Sequence, residues 1–201
     1  MYEVIWHGRG GQGVVVAAQI LAESAYLHGF KGVTSAPTFG PERRGAPLTA
    51  STRISDTPVR TFSQIARADI AVVLDPSLLD VVDITGSLKK GGLLIVNTSK
   101  TVAELGFDGN VAVLDAAAIA IRFHLFKEGS PIVNTPMLGV FAKATGIVSL
   151  ESVEKGLKWK LSGVAATTNI AALKAAFDET ANPTRHSGES RNPEAPKFTG
   201  L

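Results

Sequence analysis

Short apolar runs alternate along the chain with longer stretches in which apolar positions recur every three or four residues, as expected of parallel strands joined by crossover helices. Tyr2 to His7 reads as a first strand. Val14 to Leu27 then places Val14, Ala17, Ala18, Leu21, Ala22 and Ala25 at helical spacing before a His28-Gly29 stop. Phe30 to Thr34 predicts a second strand, followed by a Pro- and Gly-rich loop from Ser35 to Pro47. Leu48 to Ser55 alternates as a strand does, and Asp56-Thr57-Pro58 supplies a turn before Val59 to Phe62, so these two runs form a candidate hairpin. Ile70 to Leu74 is apolar throughout, as a strand covered on both faces should be, and Asp75-Pro76 ends it.

Further along, Ser77 to Leu88 predicts a helix, Lys89 to Gly92 a turn, and Leu93 to Val96 a buried strand closed by Asn97. Another strand is expected at Val111 to Leu114, then helices at Ala116 to Phe126, Met137 to Thr145, Leu150 to Leu161 and Val164 to Thr180. The last is the clearest, because Ala, Leu and Lys dominate it. From Ala181 to Leu201 the composition turns to Asn, Pro, Ser, Gly, Arg and Glu, and Pro183, Pro193 and Pro196 forbid a continuous helix. This segment reads as a flexible tail, with an interaction role for Arg185, His186 and Arg191 as the alternative. The pattern as a whole predicts an α/β domain over residues 1–180 and a disordered tail over 181–201. The domain would be a mostly parallel sheet flanked by helices, Rossmann-like, with a hairpin insertion.

Composition narrows the picture. With 201 residues, 45% of them hydrophobic and 19% charged, the chain suits one globular domain with a real core. The pI near 8.9 comes from only 20 Lys+Arg against 18 Asp+Glu, too small an excess to argue for nucleic acid binding. There is no cysteine, which excludes disulfides, thiolate zinc sites, cysteine nucleophiles and any iron–sulfur cluster ligated from within the chain. A cytoplasmic setting is the expectation. No basic run followed by an apolar core opens the chain, and no stretch approaches the ~18 apolar residues of a membrane span.

Two segments carry candidate chemistry. His7-Gly8-Arg9-Gly10-Gly11-Gln12-Gly13 lies between the first strand and the first helix, where unpaired N–H groups and the helix dipole favour an anion. Gly8, Gly10 and Gly13 also match the G-x-G-x-x-G spacing, but a dinucleotide site needs an acid about 20 residues on. Lys31 to Ala36 contains none. The readings left are anion binding, close approach of a partner, or glycines that only allow tight helix-to-strand packing. The second segment, Thr38-Phe39-Gly40-Pro41-Glu42-Arg43-Arg44-Gly45-Ala46-Pro47, holds two adjacent arginines in a stiff loop. A preorganised arginine fork suits phosphate or carboxylate. An Arg–Glu tie to the chain's own fold, or a contact with another subunit, explains the loop equally well.

A catalytic constellation is missing. His7, His28, His124 and His186 fall outside metal-ligand spacing of one another, and there is neither a G-x-S-x-G nor a Walker ending after Gly8 to Gly13. His7 is set apart because it ends the first strand beside the glycine turn. Asp75 lies at the same edge, where ligands of open α/β sheets collect, although a cap or turn before Pro76 is its simpler role.

Taken together, Gly8-Arg9-Gly10-Gly11-Gln12-Gly13 and Phe39-Gly40-Pro41-Glu42-Arg43-Arg44-Gly45-Ala46-Pro47 resemble the gamma subunit of 2-oxoacid:ferredoxin oxidoreductases. This family includes the pyruvate, 2-ketoisovalerate, indolepyruvate and phenylglyoxylate enzymes. Asp75-Pro76, Asn134 to Gly139 (NTPMLG) and Asn169 add to the likeness, which covers roughly Met1 to Phe177. The resemblance implies a subunit without catalytic residues of its own, in a complex with alpha, beta and delta-type subunits. That complex would convert a 2-oxoacid and coenzyme A to acyl-CoA and CO2, passing electrons to ferredoxin or, through a flavin subunit, to NAD. Thiamine diphosphate, Mg²⁺ and 4Fe-4S clusters would sit in the partners. Coenzyme A would be the ligand of this chain, with Gly8, Gly10, Gly11, Gln12, Gly13, Arg43 and Arg44 as its contacts. The alternatives are a stand-alone nucleotide-dependent oxidoreductase and a purely structural docking subunit.

Overall fold

A computed structural model describes residues 1–37, 44–61 and 63–186 of the chain, without the side chains of 185 and 186. Seven strands form one sheet in the order β2-β3-β1-β4-β5-β6-β9. They are β1 (Tyr2–Arg9), β2 (Gly32–Pro37), β3 (Pro47–Ser55), β4 (Ala68–Val73), β5 (Leu88–Asn97), β6 (Gly109–Leu114) and β9 (Thr184–His186). The centre, β1-β4-β5-β6, is parallel, while β3 is antiparallel to both β1 and β2, and β9 is antiparallel to β6. Six helices accompany the sheet: α1 (Val14–His28), α2 (Val102–Leu105), α3 (Ala116–Arg122), α4 (Asn134–Thr145), α5 (Leu150–Lys160) and α6 (Gly163–Glu179). A two-strand ribbon, β7 (Phe126–Lys127) with β8 (Ser130–Pro131), leads into α4.

The period-2 alternation of the strands builds two cores. Val4, Trp6, Ile70, Val72, Leu93 and Ile95 face α1 and α4 in the larger one, where the Trp6 ring lies 6.0 Å from that of Phe141. Ala71, Val73, Leu94, Val96 and Val111 face the other way, against Leu78, Ile84 and the α2 side. Helices are laid on helices by small residues: a Cβ at Gly139 would run into the Leu173 carbonyl of α6. That close approach accounts for the glycine of the NTPMLG run.

The expected α/β architecture holds, with local differences. The inserted hairpin is β2 with β3, since both edges of β3 are taken by β1 and β2 and nothing remains for Val59 to pair with. The Arg53 guanidinium instead donates to the Thr61 carbonyl of that segment at 3.3 Å and to the Ser63 carbonyl just beyond it at 2.7 Å. Phe62 lies outside the described residues. In place of a helix over Ser77 to Leu88 there is a 3-10 turn at Pro76–Asp80, then a turn in which the Asp83 carboxylate accepts from Gly86 N at 2.8 Å. β5 already begins at Leu88 and runs through the expected Lys89 to Gly92 turn as an irregular stretch, with Gly91 at a φ of 79°. The helix after Ala116 stops at Arg122, because His124 takes a left-handed conformation and β7 follows. At the far end, Thr184–His186 hydrogen-bond to the edge of β6, so the chain stays on the sheet beyond Ala181. Residues 187–201 of the expected tail, Arg191 among them, lie outside the described residues. No described helix is long and apolar enough to cross a membrane.

Candidate functional site at the carboxyl edge of the sheet

β1, β4, β5 and β6 all end at one edge, and the loops that follow them meet there. The glycine turn leaves β1 at Arg9 and enters α1 at Val14. Gly11 and Gly13 have φ values of 99° and 79°, the left-handed region that glycine adopts without a Cβ penalty. α1 has no side-chain cap, and its first intrahelical bond runs from Ala17 N to Gly13 O at 2.9 Å. The amides of Val14, Val15 and Val16 are therefore unused within the helix. Those of Gly11 and Gly13 have no partner among the described residues. α4 and α6 also lack a side-chain cap, whereas α2, α3 and α5 are capped by Thr101, Asp115 and Ser149.

The rest of the turn is engaged with itself. Gly10 N donates to Ala46 O at 2.9 Å, and Gly45 N donates to Gly10 O at 3.2 Å, so the glycine and arginine loops are stitched together. The Gln12 side chain accepts from Arg9 N at 2.7 Å and donates to Asp75 Oδ2 at 3.1 Å. Gly8 sits within β1, where a Cβ would come 2.5 Å from Val14 Cγ2. Of the residues expected to meet a ligand, Gly8 and Gln12 thus have internal roles, and Gly11 and Gly13 keep open donors. Gly10 is committed to Ala46.

Arginine is central to this edge, though the important one is Arg9. Its Nε donates to Asp75 Oδ2 at 3.0 Å, its Nη1 to Gly45 O at 3.0 Å and its Nη2 to Ser77 Oγ at 2.7 Å. Asp75 in turn accepts from the Ser77 hydroxyl at 2.6 Å and the Ser77 amide at 3.1 Å. Burial alone would raise the Asp75 carboxyl, but the Ser77 and Gln12 hydrogen bonds and the Arg9 charge carry it below the usual carboxylate range. The residue is both the cap expected before Pro76 and the hub of this network. Arg44 pairs with Glu128 at 2.6 Å, with both side chains more than half exposed, and Arg43 lies outside the described residues. An exposed pair of this kind leaves Arg44 free to exchange partners at a cost of under about 1 kcal/mol.

Asn134, the first residue of α4, closes the corner. Its Nδ2 donates to Gly13 O at 3.3 Å and its Oδ1 accepts from Thr135 N at 2.9 Å. A Cβ on Gly13 would approach that Nδ2 to 2.5 Å. On β5, Asn97 Nδ2 donates to Leu74 O at 2.9 Å while its Oδ1 accepts from Ala116 N at 2.9 Å, which ties the ends of β4 and β5 to the start of α3. Neither Arg9 nor Asn97 was expected at the site from the sequence. The only sign of Arg9 was its place inside the glycine motif, since its partner Asp75 is 66 residues away. Among the described residues no cluster of His, Asp and Glu could hold a metal ion.

The chain as a whole is similar to known proteins. The chain matches the family described as pyruvate ferredoxin/flavodoxin oxidoreductase over residues 3–179. It is 51% identical over 185 residues to the pyruvate/ketoisovalerate oxidoreductases common subunit gamma of Thermococcus litoralis, covering 90% of this chain and 97% of that one. The crystal structure of a pyruvate oxidoreductase subunit of Thermotoga maritima superposes with a TM-score of 0.76 at 37% identity, over 90% of this chain and 97% of the other. A 2-oxoglutarate:ferredoxin oxidoreductase of Magnetococcus marinus, solved with 2-oxoglutarate, coenzyme A and succinyl-CoA bound, shares the fold. Its TM-score is 0.71 at 16% identity, over 98% of this chain and 34% of that one. With the family matched along nearly its whole length, the chain belongs to the pyruvate ferredoxin/flavodoxin oxidoreductases, as the gamma subunit of a multi-subunit 2-oxoacid:ferredoxin oxidoreductase complex.

Proposed function

We propose that residues 1–180 bind coenzyme A at the carboxyl edge of the sheet and present it to the thiamine-bearing subunits of a cytoplasmic complex, with residues 181–201 as an appendage. The complex would convert R–CO–COO⁻ and CoA–SH to R–CO–S–CoA and CO2. The C–C bond to the carboxylate breaks and a C–S bond forms. One proton and two electrons leave, the electrons passing to ferredoxin or another acceptor. Thiamine diphosphate and Mg²⁺ on the partners supply carbanion stabilisation, and their 4Fe-4S clusters carry the electrons. The absence of cysteine here agrees with clusters held elsewhere.

The observation that carries the reading is the uncapped start of α1. Open amides at Gly11, Gly13 and Val14, at the positive end of a 15-residue helix, are the donors a pyrophosphate needs. Gly8 and Gln12 shape the turn. Gly10 holds it to the arginine loop, from which Arg44 can leave Glu128 for a phosphate, with Arg43 beside it in sequence. Presence of coenzyme A in the Magnetococcus relative supports the same ligand class.

A complex purified through a tag on this chain tests the proposal. Iron–sulfur absorbance, cysteine-bearing partners and saturable coenzyme A binding competed by pyrophosphate are expected. The same partners with coenzyme A affinity indifferent to a Gly13 replacement would leave a docking subunit instead. A solitary colourless protein that turns over a nicotinamide would point to the nucleotide-dependent enzyme.

A further inference from the structure

The sheet is closed on one side by the chain itself and left open on the other. Thr184–His186 pair with β6 and cover that outer strand, whereas β2, the outer strand at the opposite side, has β3 along one edge and nothing along the other among the described residues. Outside its ladder with β3, no main-chain hydrogen bond reaches Gly32–Pro37 there. A free strand edge is a template for another strand. Lys31 and Pro37, which has no N–H to give, bound the open stretch, so pairing is confined to Gly32 to Ala36.

Beside this edge, between α1 and the end of α5, lies a groove of about 530 Å³. Tyr26 of α1 and Trp159 of α5 line it together with Val33 of β2, and the two aromatic side chains are 66% and 62% exposed. Large rings left in water along an unpaired strand mark an interaction surface. The groove also carries both signs of charge. Lys160 is engaged, donating to Gln19 Oε1 at 3.1 Å with its Nζ 5.5 Å from the Trp159 ring centre. Glu23 and Lys31 line the same groove, and neither has an ion-pair or hydrogen-bond partner for its side chain among the described residues.

We propose that this surface is a two-fold interface with a second copy of the chain, in which the two β2 strands pair antiparallel and continue one sheet into the other. A two-fold contact requires a single patch to carry both halves of each complementary pair. This patch does so: an acid and a base that stay unpaired within one chain can meet across the axis, Glu23 of each copy against Lys31 of the other. A partner of one charge sign would leave one of them unmatched. Main-chain hydrogen bonds supply the pairing, and the aromatic rings of both copies cover it. The groove lies along Gln19 to Tyr26, past the first turns of α1, so the glycine turn at the start of that helix stays free. The interface does not depend on the coenzyme reading.

Sedimentation equilibrium of the full chain tests the proposal. A concentration-dependent dimer of two 21.0 kDa chains is expected, with the amides of Val33 to Ala36 exchanging more slowly at dimeric concentrations. Trp159→Ala should weaken the dimer at least about tenfold, and the exposure of that side chain leaves the fold intact. Charge exchange gives the sharper readout. Glu23→Lys and Lys31→Glu should each weaken association about tenfold or more by setting like charges across the axis, and the double variant, which restores opposite charges in exchanged places, should recover it. A chain that stays monomeric, or a dimer indifferent to these changes, overturns the interface. Protection of Val33 to Ala36 that arises only when the other subunits are added also overturns it, because a different chain then occupies the edge.

Discussion

The two ends of the parallel sheet each carry a charge network, and they are built for different ends. At the amino edge Glu3 accepts from Arg53 Nε at 3.0 Å and Lys89 Nζ at 3.1 Å, and Asp69 accepts from Lys89 at 2.9 Å and from Glu3 N at 2.8 Å. Two cations meet two anions and the set is closed. At the carboxyl edge Arg9, Asp75, Gln12 and Ser77 are equally closed. The distinction lies in the main chain, because at the carboxyl edge a left-handed glycine turn, Gly11 and Gly13, runs straight from β1 into the uncapped start of α1. Capacity for an anion therefore resides in backbone amides, and the side-chain network serves to hold them in place.

Several substitutions would break or sharpen this contrast. Gly13→Val places a side chain at φ 79° and against Asn134, so it should lower coenzyme A affinity of the complex at least about tenfold and destabilise the chain by about 2 kcal/mol. Isothermal titration and urea unfolding read the two effects. Arg53→Met does the reverse at the other edge. It leaves Glu3 with one partner fewer and two bare carbonyls, at a cost of about 2–3 kcal/mol in urea unfolding, with the coenzyme's phosphates still bound.

A pH series sharpens it further. Because His7 is held down to about 4 from 6.5, the unfolded chain binds a proton there that the folded chain refuses between those values. Wild-type stability should fall as pH drops from 6.5 to about 4, by at most about 3 kcal/mol relative to His7→Gln, and run parallel to that variant above 7. Asp75 contributes with the carboxylate sign, stability present at neutral pH and lost as pH falls below the ordinary carboxylate range, so Asp75→Asn should flatten that limb. The smallest effect is expected for Arg44→Ala. Its exposed pair with Glu128 should be worth under about 1 kcal/mol in stability, and its loss should weaken coenzyme A a few-fold, less at high salt.

Much of this fold was legible because its signals are local. Val14 to Leu27, the IAVVL strand and the Ala-rich last helix follow directly from periodicity and propensity. The helix expected over Ser77 to Leu88 failed for a reason that is also local but finer than a hydrophobic count. Asp75 caps a 3-10 turn and Asp83 a second turn, and these side-chain bonds outcompete a continuing helix. β3 pairs with β2 and not with Val59 to Phe62 because partner choice is decided by which strand edges are free. Position marked the glycine turn as the site. Which of its amides stay open depends on Ala46, Asp75 and Asn134, contacts that span 36 to 121 residues of sequence and leave no trace in spacing.

The most direct test is an amide ¹H–¹⁵N map of the full chain with and without coenzyme A, in which the responding residues are identified one by one. The account predicts the largest changes at Gly11, Gly13 and Val14, with the Glu3, Asp69 and Lys89 edge silent. Changes confined to other surfaces, with those three amides unmoved, would contradict it.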